Sequence, residues 1–325
     1  MTTRRNAMRA AAALGLGGGP VRRAAAAGTW PDRPLRWVVG YPAGGPTDHF
    51  ARLIGGAMAA ALGQPVLVDP RPGAGGIIAT EAVLRAPADG HTLLSADNGM
   101  LVFSPALYAR LPYDPDRDLA PIGLIGRFAL LLAVRRESPF GSFAELRAAA
   151  HTRQVAFGSA GVGSPHHLVL ELLKQRSGIE IIDVPFRGMP GVLPELLAGR
   201  VDAAISDITS ALPALRAGDL RALMVLEESR SALLPEVPTA REAGQDVVAR
   251  AWQGLCVAQA TPAAIRTRLG GLLRDALATE PVAAGLRGLG AETIGGDAAE
   301  FAALLRQDSA TWRPLIRSLG IHVNP

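Results

Sequence analysis

The sequence predicts an α/β protein of two lobes, each a mainly parallel sheet flanked by helices, with a ligand cleft between them. Three observations lead there. Short apolar strands alternate with segments of helical period from Leu35 onward, the mark of a parallel α/β sheet. A strand–glycine–proline–helix unit occurs twice, far apart, once in each presumed lobe. The length, 325 residues, favours two domains over one.

The first unit organises the chain. The apolar run Leu35 to Val39 enters Gly40-Tyr41-Pro42-Ala43-Gly44-Gly45-Pro46-Thr47-Asp48. Phe50, Leu53, Ile54, Ala57, Met58 and Leu62 then recur at helical spacing. Pro46 suits the first helical position, where a missing N–H costs nothing. Gly44 and Gly45 leave backbone N–H groups uncovered at the positive end of a helix dipole. Such a turn is an anion site or simply a tight turn. The second unit runs through the strand Gln154 to Gly158, the turn Ser159-Ala160-Gly161-Val162-Gly163, the N-cap Ser164 and Pro165. Two helix N-termini facing one cleft would hold a small carboxylate from both sides, which favours the anion reading.

Other elements follow in order. Pro65 to Val68 reads as a strand, Ile77 to Arg85 as a helix, and Thr92 to Ala96 as a strand ending in Asp97-Asn98-Gly99. In open α/β sheets, ligands bind beyond such carboxyl ends. Ile122 to Val134 reads as strands crossing between lobes, and Ser142 with Glu145 as a capping box. Ile179 to Val184, Val201 to Ile205 and Leu220 to Leu226 are strands, with a helix over Gly191 to Ala198. Ala251 to Leu255 crosses back, and helices over Pro262 to Leu277 and Ala298 to Leu319 flank a short strand near Ala291 to Ile294.

The leader is compositionally separate. Thr3-Arg4-Arg5, an apolar Ala10 to Gly19 and small residues at Ala24 to Ala27 have the order of an export signal. The paired arginines favour the twin-arginine route; a basic tail is the alternative. Without the five arginines of residues 1–27 the chain holds 28 basic and 29 acidic residues. That removes the electrostatic case for nucleic acid or an anionic membrane. Cys256 is the single cysteine, so no internal disulfide forms.

The motifs limit the chemistry. Neither Ser159 nor Ser164 has a Gly-x-Ser-x-Gly frame, and no phosphate loop occurs. His167 and Glu171 stand at i, i+4, but no third metal ligand is near. His166, in a first helical turn, reads as an anion donor or a surface histidine. Asp48 and Asp207 either complement local structure or face a ligand's hydroxyl or amine. Arg187 in Pro185-Phe186-Arg187-Gly188 suits a ligand carboxylate at the cleft edge or solvent.

From about Pro31 to Ile321 the chain resembles the tripartite tricarboxylate transporter substrate-binding proteins, the Bug family of periplasmic receptors. The matching runs include Tyr41 to Asp48, Arg71 to Gly76, Asp89 to Leu94, Leu111 to Asp114, Ser159 to His166, Pro185 to Gly188, Pro235 to Thr239 and Trp252 to Leu255. The resemblance implies a two-lobed periplasmic-binding-protein fold of type II-like form that closes on a small organic acid. It implies 28–127 plus 252–325 as one lobe and 128–251 as the other. Tyr41, Gly44, Gly45, Thr47 and Asp48 would act from one lobe, and Ser159, Ala160, Gly161 and Ser164 from the other. Asn98, His166, Phe186, Arg187 and Asp207 would shape the distal cleft. The expected protein is a periplasmic monomer without cofactor or metal. Its partners would be a small carboxylate and, transiently, permease subunits or a sensor. An enzyme on the same fold is the rival reading. The sequence departs from the family pattern at Asp69-Pro70, Phe186-Arg187 and Glu227, mostly at distal positions.

Overall fold

The computed structural model describes residues 30–323; the expected leader, 1–27, lies outside them. The chain runs β1 (Leu35–Val39), α1 (Pro46–Leu62), β2 (Val66–Pro70), α2 (Ile77–Leu84) and β3 (Thr92–Asp97). A π-helical turn, Gly99–Phe103, leads into α3 (Ser104–Leu107), then α4 (Pro115–Asp118) and the long β4 (Leu119–Arg135). Next come α5 (Phe143–Ala150), β5 (Ala156–Ser159), α6 (Pro165–Ser177), β6 (Ile182–Pro185), α7 (Met189–Leu197), β7 (Ala203–Asp207), α8 (Ile208–Ala217) and β8 (Leu220–Val225). The return strand β9 (Arg250–Ala258) precedes α9 (Ala263–Ala278), α10 (Glu280–Gly288), β10 (Ala291–Thr293) and α11 (Ala298–Ser318).

The path β2-β1-β3-β9-β4-β7-β5-β6 runs through both lobes, with β8 and β10 also on β4. The pairs of β1 with β2 and β3, and of β5 with β6 and β7, are parallel. Around β4 and β9 they are antiparallel. The reason lies in β4 itself. Its residues Leu119 to Ala129 pair with β9, and from Leu130 onward it pairs with β7 and β8. One strand thus serves two sheets. It is buried along almost its whole length, which explains its nearly continuous apolar sequence.

The turns stand on rigid supports. Trp37 of β1 is fully buried, and its indole N–H donates to Ser95 Oγ on β3 at 2.8 Å. Helix α1 buries Phe50, Ile54, Met58 and Leu62, and Phe50 meets Phe128 of β4 edge-on at 6.0 Å. Gly63 closes α1 in the left-handed conformation.

Several local expectations shift. Ser142 caps α5 by accepting from Glu145 N, but Glu145 accepts from Gly141 N rather than completing the box on Ser142. Segments not anticipated as helical are the 3-10 turn Ala74–Gly76, the π turn with α3, the short α4, helix α8 and helix α10. Pro213 within α8 and the glycines of α10 lower helix propensity, although both segments carry the apolar period of a helix. Gly99–Phe103 is wholly buried and so shows no amphipathic signal.

Candidate functional site

The two glycine turns face one another across a cavity of about 30 Å³, room for a water or two. Lobe-to-lobe contact is close where glycine replaces a side chain. A Cβ on Gly188 would stand 2.9 Å from Pro42 Cδ. Phe128 of β4 and Ala251 and Gln253 of β9 form the cavity's side toward the crossing strands.

In the first turn, Gly45 is the extended N-cap of α1 and Pro46 follows it. Asp48 points back into its own turn. Its carboxylate accepts from Gly44 N at 3.1 Å and from Arg52 Nε at 2.9 Å. Burial opposes the charge, but Arg52 and the Gly44 N–H outweigh it and hold the Asp48 carboxyl below its ordinary range. Gly44 N–H is therefore occupied. In the second turn, Ser164 Oγ accepts from His167 N at 3.2 Å, the expected cap, and Ser164 N donates to Gly161 O at 3.1 Å.

Three buried polar atoms of cavity-lining residues have no hydrogen-bond partner: Tyr41 Oη, His166 Nδ1 and Gln253 Oε1. Burial above all, then the charge of Asp97 beside it, pushes the Tyr41 phenol well up, so it stays protonated and Asp97 competes with a ligand for its hydrogen. Asp97 accepts from Met100 N at 2.9 Å, and its own burial raises its pKa. His166 Nε2 lies 3.2 Å from Asp207 Oδ2. Asp207 also caps α8, accepting from Ser210 N at 2.7 Å and from Ser210 Oγ at 3.1 Å. Gln253 donates through Nε2 to Thr47 Oγ1. Turned over, the amide would accept from Thr47 and present its NH2 to the cavity.

The residues expected from the sequence fall into three groups. Tyr41, Gly45, Thr47, Ala160, His166 and Asp207 line the cavity. Gly161, Phe186 and Arg187 line an outer groove of about 360 Å³, which Tyr41 and Ala160 also border. Gly44, Asp48, Asn98, Ser159 and Ser164 line neither space. Asn98 instead ties the end of β3 to the start of β9, donating to Arg250 O at 3.0 Å. Ser159 is fully buried.

Sequence reasoning did not select Gln253, Asp97, Phe128 or Met189. The available signal was one polar side chain inside the apolar β9 and an acid at the carboxyl end of β3. Among the described residues, no three His, Cys, Asp or Glu side chains are grouped to hold a metal ion.

Two α/β lobes sharing crossing strands, with a cavity between paired helix N-termini, define a periplasmic-binding-protein type of fold. Solved structures bear this out. MatC from Rhodopseudomonas palustris with bound malate aligns with a TM-score of 0.84 at 34% identity, covering 88% of this chain and 99% of that one. An R. palustris protein with adipate aligns with a TM-score of 0.86 at 32% identity, covering 90% and 100%. The periplasmic binding protein BugD aligns with a TM-score of 0.86 at 29% identity, covering 90% and 100%.

The chain belongs to the tripartite tricarboxylate transporter family of receptors, whose family model matches residues 50–321. A UPF0065 protein from a Pseudomonas species is 37% identical over 301 residues, 91% of this chain and 89% of its own. Protein BugT of Bordetella pertussis is 33% identical over 298 residues, 90% and 91%. The homologues are substrate-binding receptors rather than enzymes.

Proposed function

We propose that this protein is an exported receptor that binds a small organic carboxylate by lobe closure and carries no chemistry. The supporting observation is the pair of glycine–proline turns facing each other, with Tyr41, His166 and Gln253 turning unpartnered polar atoms to the same cavity. A carboxylate between two helix N-termini gains from both dipoles and, with the Gln253 amide turned over, from its NH2. The cavity of about 30 Å³ is smaller than any dicarboxylate, so entry requires the lobes to part. The flexing points on this reading are β4 near Ala129 and the start of β9, where partners change from one lobe's sheet to the other's. The lobes then comprise 28–127 plus 252–325, and 128–251.

The leader supports delivery to the periplasm, and the family supports hand-over to a two-subunit permease, or to a sensor. The enzyme reading draws on the buried His166–Asp207 pair. Ser210 beside it donates to Asp207, an arrangement suited to capping rather than nucleophilic attack.

Thermal unfolding in the presence of mono-, di- and aromatic carboxylates tests the proposal. Ligand at about 100 times its dissociation constant adds about 2.7 kcal/mol of stability. Stabilisation by sugars or cations, with none by any carboxylate, overturns the receptor reading. Turnover of a bound acid favours the enzyme.

A further inference from the structure

The crossing strands carry a cluster of charge on the face turned away from the cavity. Side chains alternate along a strand, and Phe128, Ala251 and Gln253 line the cavity. Arg127, Arg250 and Trp252 therefore point the other way, toward α11. Trp252 meets Phe301 of that helix edge-on at 5.3 Å and donates to its Asp308 at 2.7 Å. In the register of β4 with β9, Arg127 stands opposite Trp252 and Ala129 opposite Arg250, so the two arginines are diagonal neighbours on one face. Three glutamates surround them. Glu292 of β10, opposite Arg127, accepts from its guanidinium through both oxygens at 2.6 and 2.8 Å. Glu227 and Glu228, just beyond β8, lie 3.5 and 3.9 Å from Arg250.

The cluster spans the proposed lobe division. Arg127 and Glu292 belong to one lobe, and Glu227, Glu228 and Arg250 to the other. Each of these close ion pairs stays inside one lobe. Across the division the charges act at longer range, Glu227 and Glu228 on Arg127, and Arg250 on Glu292. The first lobe's pair is neutral, whereas two glutamates and one arginine leave the second lobe's side net negative. The lobes here are closed about a cavity of about 30 Å³. Parting them on the cavity side brings the opposite faces together. Attraction between the two halves of the cluster thus favours the open form, and repulsion the closed form. Glu227 is one of the departures from the family pattern, so the arrangement belongs to this chain.

We propose that these five side chains set the resting balance between open and closed lobes, with Glu292 holding the charge of Arg127 in check. The inference rests on the lobe-closure reading. Arg127 unmasked draws in the net negative half and opens the cleft. Glu292 left alone repels that half and closes it. A ligand that binds the closed form meets an affinity scaled by this balance.

The test is single-molecule energy transfer on the full chain, processed as it is in the cell, with dyes at Leu67→Cys and Ile182→Cys. These exposed positions lie on β2 and β6, the two ends of the sheet path, one in each lobe, and Cys256 is buried away from the label. The population at the separation found in this structure is the closed one. Without ligand and at low salt, Arg127→Gln should raise the closed-to-open ratio about two- to fivefold and Glu292→Gln should lower it as much, the range for exposed charge pairs. The double variant, neutral again on the first lobe's side, should return to the wild-type ratio, and about 0.5 M salt should erase both single-variant shifts. Shifts of R127Q and E292Q in the same direction, or of neither, overturn the charge balance. A separation that also stays fixed when a stabilising carboxylate is added overturns lobe closure itself.

Discussion

Gly161→Ala separates a binding turn from a merely tight one. Gly161 has φ +111°, a conformation that L side chains rarely adopt, and its Cβ would stand 2.8 Å from Phe186 O. That carbonyl has little room to yield, because the same residue's N–H is held by Ser159 O at 2.9 Å. Strain of this kind costs about 1–3 kcal/mol, and each kcal/mol lowers the Tm of a protein this size by about 2–4 °C. The turn must shift to relieve the contact. Ser164 N, bonded to Gly161 O, and Ala160, on the cavity wall, shift with it. A misplacement approaching 1 Å costs a site up to about a hundredfold, so affinity for a stabilising carboxylate should fall at least about tenfold. Gly178→Ala is the control. Gly178 has φ +65°, nothing within 4 Å of its Cβ, and lies at the far end of α6. It should lower stability by the strain of a left-handed residue, about 1–2 kcal/mol, with carboxylate affinity unchanged. Calorimetric Kd and thermal melts of both variants decide the matter. Equal affinities in the two variants and the wild type would remove the second turn from the site.

Two further outcomes are expected. Gln253→Leu removes the amide that meets Thr47; turned over, that amide donates its NH2 to a ligand carboxylate, a hydrogen bond worth about 1.5–3 kcal/mol, so Kd should rise by tenfold or more, and an unchanged Kd would mean the amide only props Thr47. The Asp48 carboxyl is held below its ordinary range, so its contribution to stability is present above the unfolded carboxylate pKa and lost as pH falls through the lower folded value. Melts across the acid range should fall more steeply in the wild type than in Asp48→Asn; parallel curves would show that Arg52 and Gly44 do not hold the charge.

Much of the architecture was legible in the chain because its signals are local. The strand–glycine–proline–helix pattern at Leu35 to Leu62 needs only the apolar period, the N1 proline and the glycines to be read, and the structure has β1 and α1 there. The same holds for β5, Ser164 and α6. Helices α8 and α10 were not legible, since Pro213 and the glycines of α10 weaken local propensity and tertiary packing overrides it.

The site divides along the same line. Sequence by itself determined the two glycine turns, their helix N-termini and the near-neutral charge of the chain beyond residue 27, because backbone conformation and composition are properties of short stretches. It did not determine which polar groups reach the cavity. Asp48 has the residue type and position of a ligand contact, yet it turns back to Gly44 and Arg52. Gln253 lies over 200 residues from Thr47 along the chain and bonds to it across the sheet. Such choices depend on strand order and on which face a side chain presents. Only the packed lobes set those, when β4 leaves β9 at Ala129 and joins β7 and β8.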